Sequence, residues 1–331
     1  LLGMEHLYLK DETANPTGTT KDRMAAVSLP FLYEHGVRAF TTSSTGNSST
    51  AYAHLMPRFP DMTMYLFTAA RFAHRVQHTD SPNIWHFILD DASFVEAGNY
   101  ANAFAQMNGL DAERGFFNPG RREGLKVTWL ETCEQVEGPI DWYVQAVSSA
   151  MGIYGVYKGA KELSAVRPGS PVPRLLCVQQ ESCAPMVHAW EEGSEHIAPH
   201  HRIAKPDGIA EAILRGDPTK AYPPVRGMVK ESGGDMVSVS EQEIRAARRM
   251  VEDEEGLSPC FAASTAVAGL VKRIRSGHLP REHVVVVNLT GSDRLLEQQK
   301  PARAPIHLVR HGSGFVPRDE LPASLGKPRF P

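Results

Sequence analysis

Short apolar runs that read as strands alternate with segments of helical period along almost the whole chain, and this alternation limits the fold more than any other feature. The strand-like runs fall at residues 7–9, 39–42, 63–68, 142–147, 175–179 and Val284–Leu289, the last opening on four valines. Helical patterns lie between them, at 20–35, 48–55, 94–108, 123–135, 153–163, 241–255 and 262–275. Parallel strands need a crossover, usually a helix, and a strand buried on both faces reads as an unbroken apolar run. The expectation is an α/β fold with mostly parallel, twisted sheets flanked by helices. A length of 331 residues with 42% hydrophobic content supplies core for one large or two medium domains. The Glu137-Gly138-Pro139 stretch marks a boundary. It leaves a larger lobe of 1–35 and 137–300 and a smaller inserted lobe of 36–136. Residues 301–331 carry many prolines and no helical period, so an extended tail is expected there.

Composition narrows the function by exclusion. The formal net charge is −3 with both signs interspersed, so no basic face is offered to nucleic acid or an anionic membrane. A small molecule is the expected partner. No apolar run approaches the ~18 residues of a membrane span, and Leu1-Leu2-Gly3 lacks a signal-peptide layout. The abrupt entry into a strand without an initiator Met leads to the expectation that residues precede Leu1. Cys133, Cys177, Cys183 and Cys260 form no CxxC pair, which reads as reduced thiols in a cytoplasmic protein. His196, His200 and His201 are an adjacent pair with one outlier, and no metal site is expected from that spacing. Gly-x-Gly-x-x-Gly is absent, so the alternation does not license a dinucleotide fold.

The chemistry concentrates at Lys21, inside Asn15-Pro16-Thr17-Gly18-Thr19-Thr20-Lys21-Asp22-Arg23. Asn15, Pro16 and Gly18 punctuate a loop, and Thr19 or Thr20 suits the N-cap of the helix that follows. A lysine in a first helical turn feels the positive end of the dipole, which favours the neutral amine needed to form an imine, below the ~10.4 pKa of a free lysine. Asp22 opposes that effect. Position alone better describes a solvated surface lysine, since most lysines near helix starts are surface charges.

The run from Leu7-Tyr8-Leu9-Lys10-Asp11-Glu12 through Arg23 resembles the lysine segment of the fold-type II pyridoxal phosphate (PLP) enzymes, the group of threonine synthase, cysteate synthase, threonine dehydratase and the tryptophan synthase β chain. The resemblance implies a two-lobed fold with PLP between the lobes and Lys21 as the Schiff-base lysine and general base. It extends to Ser43-Ser44-Thr45-Gly46-Asn47-Ser48-Ser49, similar to a loop whose Asn meets the PLP ring hydroxyl and whose hydroxyls hold the substrate carboxylate. That implies Asn47 for the ring and Ser44, Thr45 and Ser48 for the carboxylate. Ser148-Ser149-Ala150-Met151-Gly152, followed by Gly155 and Gly159, stands where relatives bind the PLP phosphate on a glycine-rich loop, with Ala150 and Met151 in place of glycines. Thr290, after the valine strand, matches the hydroxyl that meets the ring nitrogen. Each segment also has a plainer reading, as an N-cap loop, a strand-to-helix turn or a strand end.

Asn118-Pro119-Gly120-Arg121-Arg122-Glu123-Gly124 resembles the segment of threonine synthases whose arginine binds the substrate phosphate, which implies that role for Arg121; Phe116 replaces the family's serine. The implied activity is β- or γ-elimination or replacement on an activated, O-phosphorylated amino acid, as in threonine synthase. Cysteate synthase-like replacement on O-phosphoserine with sulfite, serine or threonine dehydration, and an inactive regulatory relative are the alternatives. A homodimer is expected.

Overall fold

The computed structural model describes residues 2–77, 80–293 and 301–331. In chain order its strands and helices are β1 (His6–Asp11), α1 (Lys21–Glu34), β2 (Ala39–Ser43), α2 (Asn47–Leu55), β3 (Thr63–Ala69), β4 (Ile84–Leu89), α3 (Phe94–Asn108), β5 (Asp111–Ala112), α4 (Pro119–Gln135), β6 (Trp142–Ala146) and α5 (Met151–Val166). They continue as β7 (Arg174–Gln180), α6 (Pro185–Glu191), α7 (Tyr222–Glu231), β8 (Asp235–Val239), α8 (Glu241–Glu255), α9 (Phe261–Arg275), β9 (Val284–Leu289), β10 (Ile306–His311) and β11 (Gly314–Pro317). All six strand-like runs of the sequence are strands. The chain divides into two compact units, Leu1–Arg23 with Arg122–Arg294 and Met24–Arg121 with Leu295–Pro331.

The first unit is built on a five-stranded sheet in the order β1-β9-β6-β7-β8, parallel at every pairing. Register puts Leu9 opposite Val287 and Val144 opposite the same residue on the other side, so the valine run of β9 is enclosed between strands. Helices α8 and α9 cover one face. Ile244, Ala266 and Leu270 pack with Val144, Leu176 and Val287 in a single apolar cluster. The alanines and glycine of α9 bring its backbone close to the sheet, which is why every residue from Ala262 to Val271 is buried.

The second unit holds a six-stranded sheet, β11-β10-β4-β3-β2-β5, parallel except for the β10–β11 hairpin. Its core is aromatic: Phe67 stacks on Phe87 with centroids 4.8 Å apart, and Phe104 of α3 leans on Phe67 at 5.1 Å. Offset aromatic packing of this kind adds about 0.5–1.5 kcal/mol per pair beyond burial. The tail contributes structure that its prolines concealed. β10 pairs parallel to β4, Phe330 meets Phe104 at 5.5 Å, and the Tyr100 hydroxyl donates to the Phe315 carbonyl at 2.7 Å. Residues 301–331 therefore belong to the second unit. The divisions fall at 23/24 and 121/122 where the sequence placed them at 35/36 and 136/137.

Leu270 is fully buried at the centre of α9. Leu270→Ala is expected to cost about 2–5 kcal/mol in denaturant unfolding, the range for a buried leucine whose cavity cannot collapse. A loss under about 1 kcal/mol would contradict the packing described for this helix.

Candidate active site

Three neighbouring parallel strands of the first unit, β1, β9 and β6, end at the same edge of the sheet. Ligands of open α/β sheets bind beyond such carboxyl ends. Here the three strands lead into the Lys21 loop, Thr290 and the Ser148–Gly152 segment respectively. Lys21 opens α1, half-buried. Its loop is fastened to the end of β9: the Thr20 N–H donates to the Thr290 carbonyl at 3.0 Å, the Thr19 hydroxyl donates to the same carbonyl at 3.1 Å, and the Ser292 N–H donates to the Gly18 carbonyl at 3.1 Å. Gly18 takes φ 62°, open to glycine at little cost. The Thr19 hydroxyl oxygen accepts the Lys21 N–H at 3.4 Å, just ahead of the helix. The Asp22 carboxylate is engaged with Thr17, accepting its N–H at 2.8 Å and its hydroxyl at 2.7 Å.

Behind the lysine lies an ionic support. Glu12 is fully buried, and its carboxylate accepts from Arg23 Nε at 3.0 and 2.8 Å and from Asn15 Nδ2 at 2.7 Å. Arg23 also pairs with Glu131, which Lys10 Nζ reaches at 2.8 Å. Burial would lower the Arg23 pKa, but the two carboxylates override it and raise it. Breaking a buried pair by removing one partner leaves an uncompensated charge. Glu12→Ala is expected to cost about 3 kcal/mol in denaturant unfolding. A change below about 1 kcal/mol would mean that this pair does not brace the loop.

Ser148 and Ser149 are half-buried, and Ala150 caps α5 with φ 58°, ψ 23°. The backbone thus keeps the left-handed conformation that glycine takes freely, despite a methyl that makes it cost about 1–2 kcal/mol. The first amides of α5, including those of Met151 and Gly152, have no intrahelical acceptor by position. Amides at a helix N-terminus beside two hydroxyls suit a phosphate. Gly155 and Gly159 serve another purpose. A Cβ at either would stand 2.8 Å from the Leu125 Cβ or 2.7 Å from the Lys126 Cγ, so these glycines let α5 lie close against α4.

In the second unit β2 ends in the loop that starts α2. Ser44 is buried, and its hydroxyl oxygen accepts the N–H groups of Gly46 at 3.0 Å and Ser49 at 3.2 Å. Both lone pairs are taken, so its hydrogen remains to be donated, which suits an anion. Gly46 has φ 121°, and a Cβ there would stand 2.6 Å from that of Arg75, whose Nε donates to the Thr45 carbonyl at 2.9 Å. Asn47 and Ser48 open the helix, half-buried.

Arg121, at the start of α4, is 4% exposed and forks onto Glu113 through Nε and Nη2. Its Nη1 reaches the Ser48 hydroxyl at 3.3 Å. Burial would lower the Arg121 pKa, but the charge of Glu113 raises it instead, which keeps the guanidinium ionised. The sequence did not single out Glu113. It follows a two-residue strand, where no periodicity distinguishes a buried carboxylate from a turn residue.

Elsewhere the described residues bring Glu192, His200 and His201 within metal-ligand reach of one another, whereas His196 is not in the group. The His201 Nδ1 accepts the Ala198 N–H at 3.0 Å, so neutral His201 carries its proton on Nε2 and donates it to Glu192 at 2.8 Å. That leaves no lone pair on Nε2 for an ion. The four cysteines are unpaired thiols, and burial pushes Cys133 and Cys183 up to about 11.

Comparison with known proteins agrees with the geometry. The family described as "Pyridoxal-phosphate dependent enzyme" matches residues 1–291. The chain belongs to that family. It is 30% identical to the threonine synthase of Methanosarcina acetivorans over 297 residues, 88% of this chain and 71% of that one. It is 24% identical to the cysteate synthase of Methanoregula boonei over 316 residues, 92% and 74% of the two chains. Maize serine racemase, at 20% identity, shares the fold with a TM-score of 0.70 over 89% of this chain and 85% of that one. The protein is thus a fold-type II PLP enzyme of the threonine synthase and cysteate synthase kind, a group that catalyses elimination or replacement. The donor set of the first unit fits its cofactor: amides and hydroxyls for a phosphate, a lysine amine, and a neutral hydroxyl at Thr290.

Proposed function

We propose that this enzyme catalyses elimination or replacement at Cβ or Cγ of an O-phosphorylated amino acid, with O-phosphohomoserine as first substrate and threonine as product. The observation that carries the proposal is the fastening of the Lys21 loop to the Thr290 carbonyl at the shared edge of β1, β9 and β6. The bound cofactor supplies an electron sink for the charge left at the substrate Cα. Lys21 Nζ holds the cofactor and then takes the Cα proton. Ser148 and Ser149, with the amides of Ala150, Met151 and Gly152, would bind the cofactor phosphate, and Asn47 would meet its ring hydroxyl.

The Thr290 hydroxyl would meet the ring nitrogen of the bound cofactor. A neutral partner there would leave that nitrogen largely unprotonated and so would favour elimination over transamination. Ser44, Thr45 and Ser48 hold the substrate carboxylate, and Arg121 holds the departing phosphate. The likeness to cysteate synthases supports a second reading on the same residues, β-replacement on O-phosphoserine with sulfite. A cytoplasmic homodimer remains the expectation for its assembly and location. Among the described residues no helix is long and apolar enough to cross a membrane.

The test is phosphate release and product analysis on O-phosphohomoserine and O-phosphoserine, the latter with sulfite. Arg121→Met removes a charged hydrogen bond worth about 2–3 kcal/mol, so kcat/KM should fall about 30- to 150-fold. Inorganic phosphate should inhibit the parent competitively and the variant far less. Full activity in Arg121→Met, with phosphate inhibiting neither protein, would sink the phosphorylated-substrate reading. Thr290→Asp should raise side transamination at the expense of elimination. An unchanged product ratio would mean that Thr290 does not face the ring.

A further inference from the structure

We propose that Glu113 is a positioning residue: it fixes the Arg121 guanidinium so that the edge left over stands beside Ser48 as the anchor for an anionic substituent of the substrate. The inference rests on Arg121 as the anion contact proposed above. Glu113 is 3% exposed and follows β5, the strand that pairs with β2. Its carboxylate is crowded with donors. Beside the two Arg121 nitrogens, it accepts from the Tyr52 hydroxyl at 2.9 Å, Asn118 Nδ2 at 2.8 Å, the Gly115 N–H at 3.1 Å and the Thr42 hydroxyl at 3.5 Å. A carboxylate offers about four lone-pair sites, so this one has no freedom to turn. Tyr52 is held in its turn by Ser28 at 2.7 Å, and burial pushes its hydroxyl above the ordinary value, which keeps it a donor.

A fork between a planar guanidinium and a fixed carboxylate fixes the guanidinium plane as well. Nε and Nη2 are used on Glu113, and Nη1 is presented to Ser48, inside the loop assigned to the substrate carboxylate. Glu113 also cancels much of the charge that a bare arginine would offer. What the pair supplies to an anion is therefore direction more than attraction, and that gives the test its sign. Were Glu113 chiefly an opposing charge, weakening it would tighten anion binding. As a positioning residue, displacing it loosens anion binding even when its charge is kept.

The experiment measures Ki for inorganic phosphate, and KM and kcat for O-phosphohomoserine, on PLP-loaded parent, Glu113→Asp, Glu113→Gln, Arg121→Met and the Glu113→Gln/Arg121→Met double variant. Glu113→Asp keeps the charge but withdraws it by one methylene. Both Glu113 variants should raise Ki and KM by about tenfold with kcat within about threefold, the pattern of lost binding and not lost chemistry. The visible absorption of the bound cofactor should be unchanged. Because Glu113 acts through Arg121, Glu113→Gln should add nothing in the Arg121→Met background. An unchanged or lower Ki in Glu113→Asp, or full additivity in the double variant, would overturn the role of Glu113 while leaving Arg121 as the anion contact. A parent that phosphate does not inhibit, together with full activity in Arg121→Met, would overturn the reading of Arg121 and this inference with it. If Glu113→Gln does not fold, Glu113→Asp and the charge-free double variant still decide between these outcomes.

Discussion

Two hydrogen bonds to one carbonyl organise the first unit. The amide of Thr20 and the hydroxyl of Thr19 both donate to Thr290, so the loop carrying Lys21 is fastened to the strand end that carries the hydroxyl proposed for the ring nitrogen. The strand order makes this possible. β1 and β9 are parallel neighbours, and parallel neighbours finish at the same edge, which places the ends of strands from opposite ends of the chain side by side. β6 follows on the other side of β9 and brings the two serines and the first turn of α5 to that edge.

Charge is managed by the same method in both units, with a buried carboxylate saturated by donors and an arginine held on it. Glu12 with Arg23 stands behind the lysine loop, and Glu113 with Arg121 stands behind the serine loop. Such pairs contribute modestly to net stability, because desolvation offsets most of the Coulomb gain. Their value lies in geometry. The Arg121 guanidinium, locked on Glu113 by two parallel hydrogen bonds, cannot swing, whereas Arg23 is held between two carboxylates, Nε on Glu12 and Nη2 on Glu131.

Much of this was legible in the sequence where local pattern and burial agree. The valine run of β9, the punctuated loop before Lys21 and the hydroxyl-rich start of α2 each state their structure within a few residues. What escaped was set by partners far along the chain. β4 is buried throughout, yet His86 interrupts its apolar run. β8 is five residues long and carries Asp235 and Ser238, too polar and too short to announce a strand that β7 alone completes. β10 exists because β4 offers it an edge, which no property of a proline-rich tail can reveal. At the site, Ala150 takes a left-handed backbone that glycine would adopt more freely, a conformation imposed by its surroundings. Glu113 is invisible for the same reason, since its donors are drawn from residues 42 to 121.

In the proposed reaction Lys21 holds the cofactor covalently. Borohydride reduction of the PLP-loaded protein, followed by proteolysis and mass spectrometry, tests it directly, because reduction makes the lysine–cofactor bond permanent. The cofactor mass should appear on the peptide containing Lys21, and Lys21→Ala should carry none. Cofactor fixed to another lysine, or labelling that survives in Lys21→Ala, would contradict the account.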